Sequence, residues 1–501
     1  MISDKKYPYF YWGKVNRVTN PYLMKDEELY DLVNFYTTEL GSKKVRPGLT
    51  PYLNQADTSK VTHLSYSKLA GAGKKLLRFS GSSVYAVDPT SASTWGSSIY
   101  TNSANWDRPE SAAFATKVHI VDQHSSSGQY FEYDGSSITE RTTTSGTDTV
   151  VPYKGKTIVV YHGRVYVANS YYSQFYRSYV SFSSVDYVDK GTNPSSPWTT
   201  LSGDPASANY FPVDIDYKGS ILKLTNINDR LNIYKEEGVY RFNEESLFAI
   251  FGVAPIDNTI STMEETREDY FLTSEGFYKS DGNTVSPVGE GWYLIIKEIL
   301  KNGIDTSKVF SGSANYNYYC YLGNVTYDSQ TLANACFVYN ARYDEMWLWS
   351  FGQELSCFGY YIDNDGRKVT LFGSASGRVY KLDEDATTDD GTPIFAYFRS
   401  KYYYFDDLTL WNYLSEIYPY TRQNTSGVKI LVDRDFKNDY QELNVDFDRK
   451  DSSKIDYDSI GRFKTLSIKV AYDGKGKQPV IDGFVFEVKE FGGPKATEGK
   501  S

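Results

Sequence analysis

Along this chain, short apolar runs break at a glycine-containing turn and resume around a tyrosine, five times over. The first two copies are Leu76, Leu77, Phe79 and Gly81 before Val84, Tyr85 and Val87, and Ile158, Val159, Val160, Tyr161 and Gly163 before Val165, Tyr166 and Val167. The others are Leu231, Ile233 and Tyr234 with Gly238, Val239, Tyr240 and Phe242; Tyr270, Phe271 and Leu272 with Gly276, Phe277 and Tyr278; and Val369, Leu371 and Phe372 with Gly377, Val379 and Tyr380. β-Branched and aromatic residues suit a pleated, half-buried surface and glycine supplies the positive φ of a reversal, so each copy is predicted to be a β-hairpin. Repeated hairpins with little helical periodicity between them predict small antiparallel sheets stacked radially, a β-propeller. The expected fold class is all-β: a propeller body, a smaller antiparallel β-sandwich platform domain and few short helices.

The two ends of the chain read differently. Leu29, Leu32, Val33 and Tyr36 fall at helical spacing after Asp26, Glu27 and Glu28, which predicts a short helix over 25–36 that Gly41 would end. Lys43, Lys44, Val45 and Arg46 then lead into a Pro47-Gly48 turn. A second helix is predicted over 290–301 from Trp292, Ile295, Ile296, Ile299 and Leu300, and 186–212, with Pro194, Pro197, Pro205 and Pro212, reads as a long connection. The acidic run 383–391 reads as a linker, and apolar runs at 394–398, 428–432, 463–471 and 484–488 predict the sandwich. The expected organisation is therefore 1–60 as an N-terminal arm and short helix within the platform, 61–390 as an independent propeller body, 391–491 as the C-terminal sandwich and 492–501 as a tail.

Composition narrows the function classes. A net charge of −10 and a pI near 5.2 argue against a protein that grips nucleic acid, because affinity for the phosphate backbone comes from Lys and Arg displacing counterions. Tyrosine, at 47 copies, offers one apolar face and one hydrogen-bonding tip, which suits long-lived protein contacts as well as strand surfaces. Cys320, Cys336 and Cys357 are odd in number and spaced like neither a disulfide framework nor a metal knuckle, so they are expected reduced and buried. The N-terminus lacks an apolar signal core and no run approaches the roughly 18 apolar residues of a membrane span, which predicts assembly in a cytoplasm without a membrane span.

Catalytic signatures do not stand out. His119 and His124 are the nearest pair among four histidines, and a strand would put them on opposite faces; His63 and His162 stand apart. No G-x-S-x-G elbow, H-E-x-x-H helix or P-loop occurs, so neither catalytic residues, a cofactor nor a metal are expected. A propeller glycosidase would need only two suitably placed carboxylates, but Ser91 to Trp95 and Ser196 to Trp198 do not match the S-x-D-x-G-x-x-W turns of a sialidase-like propeller. Asp363-Asn364-Asp365-Gly366 fits a hairpin turn better than a calcium loop, and the sequons at Asn324 and Asn424 carry no meaning in a cytoplasmic protein.

A set of segments occurs in a telling order. Asn20-Pro21-Tyr22-Leu23, Leu32-Val33-Asn34, Leu40-Gly41 and Arg46-Pro47-Gly48-Leu49-Thr50-Pro51-Tyr52 are followed by Asp214-Ile215-Asp216-Tyr217-Lys218-Gly219, then by Lys235-Glu236-Glu237-Gly238-Val239-Tyr240. Gly276-Phe277-Tyr278-Lys279-Ser280-Asp281-Gly282 and Phe398-Arg399-Ser400-Lys401-Tyr402-Tyr403-Tyr404-Phe405 complete the series. In this order the chain resembles the tail nozzle or hub proteins of tailed bacteriophages, including the tail tubular protein B and packaged-DNA-stabilisation types, from which it departs in its 186–212 insert.

The resemblance implies a structural virion protein, made in the host bacterial cytoplasm and located in the phage tail. It implies a ring, hexameric in the family, that encloses the DNA exit channel, retains the genome and passes it during ejection. The implied partners are further copies of the chain, a portal-adaptor protein above, tail fibre or needle proteins on the distal side, and passing double-stranded DNA that is not tightly bound. Lys43, Lys44, Arg46, Pro47 and Tyr52 are the candidate residues for contact with a neighbouring subunit or the adaptor. The rival reading is a receptor- or glycan-binding propeller in which Tyr171, Tyr172, Tyr176, Trp347 and Trp349 stack on sugars, although Trp347 and Trp349 share one strand face and also fit a buried blade. A glycosidase is the third.

Overall fold

The computed structural model describes residues 4–491 apart from 11, 54–57, 115, 123–128, 141–154, 173, 184–209, 216–218, 245, 406–407, 423–426, 446, 448–452, 456–459 and 476–477; at 4, 170–176 and 491 it describes the backbone alone. His124, the sequon at Asn424, most of the connection 186–212 and the tail 492–501 lie outside the described residues.

The hairpins are strand pairs, and they assemble into seven blades. Blades 1 to 5 are four-stranded antiparallel sheets spanning 61–101, 110–140, 157–212, 221–251 and 261–288. Blade 6 comprises Phe310–Ala314, Asn317–Tyr327, Gln330–Asn340 and Glu345–Ser350, and blade 7 begins with Leu355–Ile362, Lys368–Ser374 and Val379–Asp383. The first strand of each blade is innermost and packs towards the next blade, and Leu355–Ile362 of blade 7 returns against Val61–Leu69 of blade 1, which closes the ring. Separate apolar clusters fill the wedges between blades; Phe79, Trp106 and Phe131, for example, join blades 1 and 2. This is a β-propeller whose sheets pack face to face around a central axis.

Turn chemistry divides the five repeats. At Tyr161–Arg164 the reversal places His162 at φ 44 and Gly163 at φ 70, the left-handed geometry that a two-residue hairpin requires. Gly238 serves another purpose: a Cβ there would lie 2.4 Å from the Phe251 carbonyl of the adjoining strand, so the residue is small because of close approach.

The fourth strand of blade 7 comes from the other end of the chain. Gly48–Pro51 pairs antiparallel with Val379–Asp383, Gly48 facing Asp383 and Pro51 facing Tyr380. Thr388–Asp389 then joins the far edge of Gly48–Pro51 in parallel, with Asp389 facing Leu49. Asp383 and Thr388–Asp389 of the run 383–391 are thus strand residues of this sheet, joined by a short turn rather than set in a linker. The expected boundaries move accordingly, since residues 48–51 and 388–389 belong to the sheet of blade 7.

The helix expected over 25–36 is absent. Its residues form the strands Leu29–Val33 and Phe35–Thr37. Leu29–Val33 is covered on both faces, so its apolar residues do not alternate, and an unbroken buried strand is hard to distinguish from a helix by periodicity. The helix expected over 290–301 is present as Tyr293–Asn302, entered through a 3-10 turn at Glu290–Trp292, with Ile295, Ile296 and Ile299 buried.

The remaining strands form a two-sheet sandwich. In one sheet Val480–Phe491 pairs with Asp4–Phe10 and Lys43–Val45 from the N-terminal arm and with Trp411–Thr421. In the other, Ala396–Tyr403 lies between Leu29–Val33 and Leu466–Tyr472, and Val428–Arg434 follows. Trp12 fills the space between the layers, 4.9 Å from the Phe398 ring of one sheet and 5.5 Å from the Phe484 ring of the other. Leu29–Val33 also meets Glu345–Ser350 of blade 6 in parallel at Val33 and Leu348, so one nine-stranded sheet runs from blade 6 into the sandwich. A single apolar core extends from blade 5 through blade 6 to the sandwich, so propeller and platform share a core and are not independent bodies.

Candidate functional site

Four of the five candidate interface residues are turned inward. Arg46 donates Nη1 to Asp389 Oδ1 at 2.9 Å and Nη2 to Asp389 Oδ2, while its Nε donates to Asn34 Oδ1 at 3.0 Å and its guanidinium lies over the Phe351 ring. Asp389 also accepts the backbone N–H groups of Leu49 and Gly352, so one carboxylate ties blade 7 to the end of blade 6. Lys43 donates to Thr37 Oγ1 and to the Gly13 carbonyl and sits 3.7 Å from Glu345; burial draws its pKa down while Glu345 opposes the shift. Pro47 is buried, and Tyr52 packs beside Trp95 and Tyr361 with its hydroxyl on the Pro89 carbonyl. Lys44 alone of the five is half-exposed.

Lys44 opens onto a groove of about 1050 Å3 between blades 6 and 7 and the platform strands Phe35–Thr37 and Lys43–Val45, with the buried Pro47 in its lining. In its floor Trp347 and Trp349 lie with indole planes within 6° of parallel and centroids 6.2 Å apart, and Tyr36 meets both edge-on at 5.8 and 6.4 Å. The two indoles are 3% and 2% exposed, so their faces belong to the blade core and do not present a stacking platform. The half-exposed rings are Tyr36, Tyr343 and Tyr361, and Tyr316 is exposed. The side chains of Tyr171, Tyr172 and Tyr176 lie outside the described residues.

Charge in the groove runs against that of the chain. Lys44, Arg342, Arg367, Lys368, Lys381 and Arg422 line it, against Glu39, Asp363, Asp383 and Glu384. Arg342 pairs with Glu39, Lys368 with Glu264 and Glu265, Lys381 with Asp383 and Arg422 with Asp482. Lys44 and Arg367 have no ion-pair partner among the described residues. Burial, reinforced by Glu384, raises the Tyr36 phenol and keeps it a neutral donor. Asp363 caps the hairpin turn at this rim through the N–H groups of Asp365 and Arg367, and Gly366 takes φ 80.

The second concave site is the mouth of the central channel, about 550 Å3, where the inner ends of all seven blades converge. Ion pairs span it: Lys223 of blade 4 reaches Glu110 of blade 2 at 2.5 Å, and Lys156 of blade 3 reaches Asp257 of blade 5 at 2.6 Å. Arg108 adds a bond to the Ser307 carbonyl at 2.6 Å. His63 Nε2 lies 3.0 Å from Ser111 Oγ, but that hydroxyl donates to Ser65 Oγ at 2.7 Å. With the Ser111 hydrogen so directed, Nε2 is the donor of the pair, and an imidazole donating to a hydroxyl cannot serve as its base. Burial and the nearby Lys223 hold the His63 imidazole down to about 3.

His119 is fully buried with Nδ1 on the Tyr130 hydroxyl, and His162 meets Glu244 at the surface. The described histidines therefore sit in three different blades and do not converge. Among the described residues no cluster of His, Cys, Asp and Glu has the geometry of a metal site, and Cys320, Cys336 and Cys357 are free and buried.

No family model matches the chain, and no curated protein does. Solved structures give partial likenesses. BBS1N in complex with ARL6DN aligns over 68% of this chain and 99% of its own, at 8% identity and a TM-score of 0.42. The extracellular domain of the BT4673 one component system from B. thetaiotaomicron aligns over 92% of this chain and 63% of its own, at 8% identity and a TM-score of 0.44. A chain of the mitotic checkpoint complex aligns over 70% and 96%, at 11% identity and a TM-score of 0.38. Likeness at this level carries no argument about activity, and the seven-bladed assignment stands on the strand pairing itself.

Proposed function

We propose that this chain is a structural subunit of a tailed-bacteriophage nozzle ring, joined to its neighbours through the platform and carrying the propeller on its outer side. The observation that carries the reading is where large apolar side chains stay exposed. Of the thirteen exposed among the described residues, eight lie on the platform: Val18, Tyr22, Leu23 and Leu40 on the arm, and Phe395, Leu408, Trp411 and Tyr420 on the C-terminal strands and loops. Water-exposed apolar surface concentrated on one part of a molecule marks an association surface, and permanent interfaces are rich in aromatic residues.

Two further features support the reading. The platform draws strands from both ends of the chain, so a subunit held through it is held by its best-tied region. The acidic balance suits a channel that DNA traverses without sticking. Sedimentation velocity and negative-stain imaging of the full chain test the proposal, with Leu23→Asp and Trp411→Asp as variants. Closed rings that the variants dissolve into folded monomers are expected. A protein that stays monomeric across its soluble range, or virion labelling at peripheral fibres instead of the tail axis, would overturn it.

A further inference from the structure

We propose that the groove between blade 6, blade 7 and the platform binds an acidic oligosaccharide. Its volume of about 1050 Å3 lies just above the roughly 300–1,000 Å3 of small-molecule pockets, which suits an extended ligand of several rings better than a single metabolite. Six cationic side chains line it, of which Arg342, Lys368, Lys381 and Arg422 are held by carboxylates, so its affinity for an anion rests on the remaining two. Lys44 on one wall and Arg367 on the other are not engaged in ion pairs among the described residues, which leaves an ammonium and a planar guanidinium to receive carboxylates.

The rest of the lining selects the ligand class. Tyr36, Tyr343 and Tyr361 are half-exposed and Tyr316 is exposed in the lining, and phenol rings with their hydroxyls offer the mixed apolar and hydrogen-bonding surface that a pyranose takes. Leu40 is the one aliphatic side chain among the lining residues that is largely exposed, so most of the accessible apolar surface is phenol ring, whereas a protein partner would be anchored by a side chain seated in an apolar pocket.

The inference does not depend on ring assembly, and its test reads binding alone. Purified full-length chain is titrated with oligogalacturonate, with neutral malto-oligosaccharide and with polyglutamate, following heat in calorimetry and the intrinsic tryptophan emission to which Trp347 and Trp349 contribute. Saturable binding of oligogalacturonate, weaker for the neutral sugar and weakened by salt, is expected. Lys44→Glu combined with Arg367→Glu should reduce it about tenfold or more, and Tyr343→Ala should reduce it while leaving the circular dichroism spectrum unchanged. Failure of both sugars to bind, equal or tighter binding of polyglutamate, or affinity unchanged by the folded charge-reversal variant would each overturn the proposal.

Discussion

Arg46 and Asp389 lie 343 positions apart in the chain and meet in a two-pronged ion pair whose side chains are each 1% exposed. Truncating either partner leaves the other charge buried and unpaired, which costs about 3–5 kcal/mol. Arg46→Ala and Asp389→Ala should each lower the denaturant midpoint of unfolding by that order. Arg46→Met with Asp389→Leu should recover part of it, though the Leu49 and Gly352 N–H groups would still want an acceptor. Single variants within about 0.5 kcal/mol of the parent, the range of ordinary surface substitutions, would show the pair to be inessential.

Cleavage near 384–387, where Glu384 and Asp385 are exposed, should not release the ends of the chain. Gly48–Pro51 is hydrogen-bonded to Val379–Asp383 on one edge and to Thr388–Asp389 on the other, and Asp4–Phe10 is paired with Val480–Phe491. Native gel filtration after limited proteolysis should return a complex of all fragments that separates only in denaturant. Elution of a free N-terminal fragment in buffer would mean these pairings are weak.

Acid should destabilise the propeller through His63. The folded pKa is held at about 3 against 6.5 unfolded, so the unfolded chain takes up the proton first. The stability is fully present above pH 6.5 and is lost as pH falls towards 3, at up to about 1.4 kcal/mol per pH unit. Asp31 and Asp269 are shifted upward by burial and act in the opposite sense, their contribution falling as pH rises from 3.8 towards the folded value. The difference between the parent and His63→Gln isolates the imidazole. Parallel stability curves for the two between pH 6.5 and 4 would contradict the assignment.

Duplex DNA should bind poorly even at low ionic strength, where an electrostatic binder is strongest. A net −10 repels phosphate over a Debye length of about 8–10 Å at physiological salt, and farther when salt is lowered. Micromolar, salt-sensitive binding in a gel-shift or anisotropy titration would point instead to a connector that grips the genome.

The hairpin repeats were legible because each carries its own turn and alternation, as at Tyr161–Arg164. Blades 2 and 6 were harder to read. Glu110–Phe114 is a half-exposed run containing two alanines, and Asn317–Tyr327, although it holds four tyrosines, is buried along most of its length and does not alternate. The hairpin of blade 7 was legible as the fifth repeat, but its fourth strand was not, since pairing of Leu49 with Leu382 leaves no local trace. The same long range hid the role of Arg46. Its basic neighbourhood suggested a surface, and only the position of Asp389 shows that the charge is satisfied within the chain. Lys44 and Trp347 drew attention for separate reasons, and the groove that joins them arises from three parts of the fold.

The borrowed strand of blade 7 also sets a schedule for synthesis. Gly48–Pro51 leaves the ribosome long before Val379–Asp383 exists to receive it, and at roughly 5–20 residues per second the wait is on the order of 20–60 s. Blades 1 to 5 contain only strands close in sequence and can close as they emerge. The arm meanwhile holds open strand edges, and its partners Val480–Phe491 and Ala396–Tyr403 arrive last. A nascent chain can therefore form its first five blades before the platform, which needs both ends of the chain, is complete.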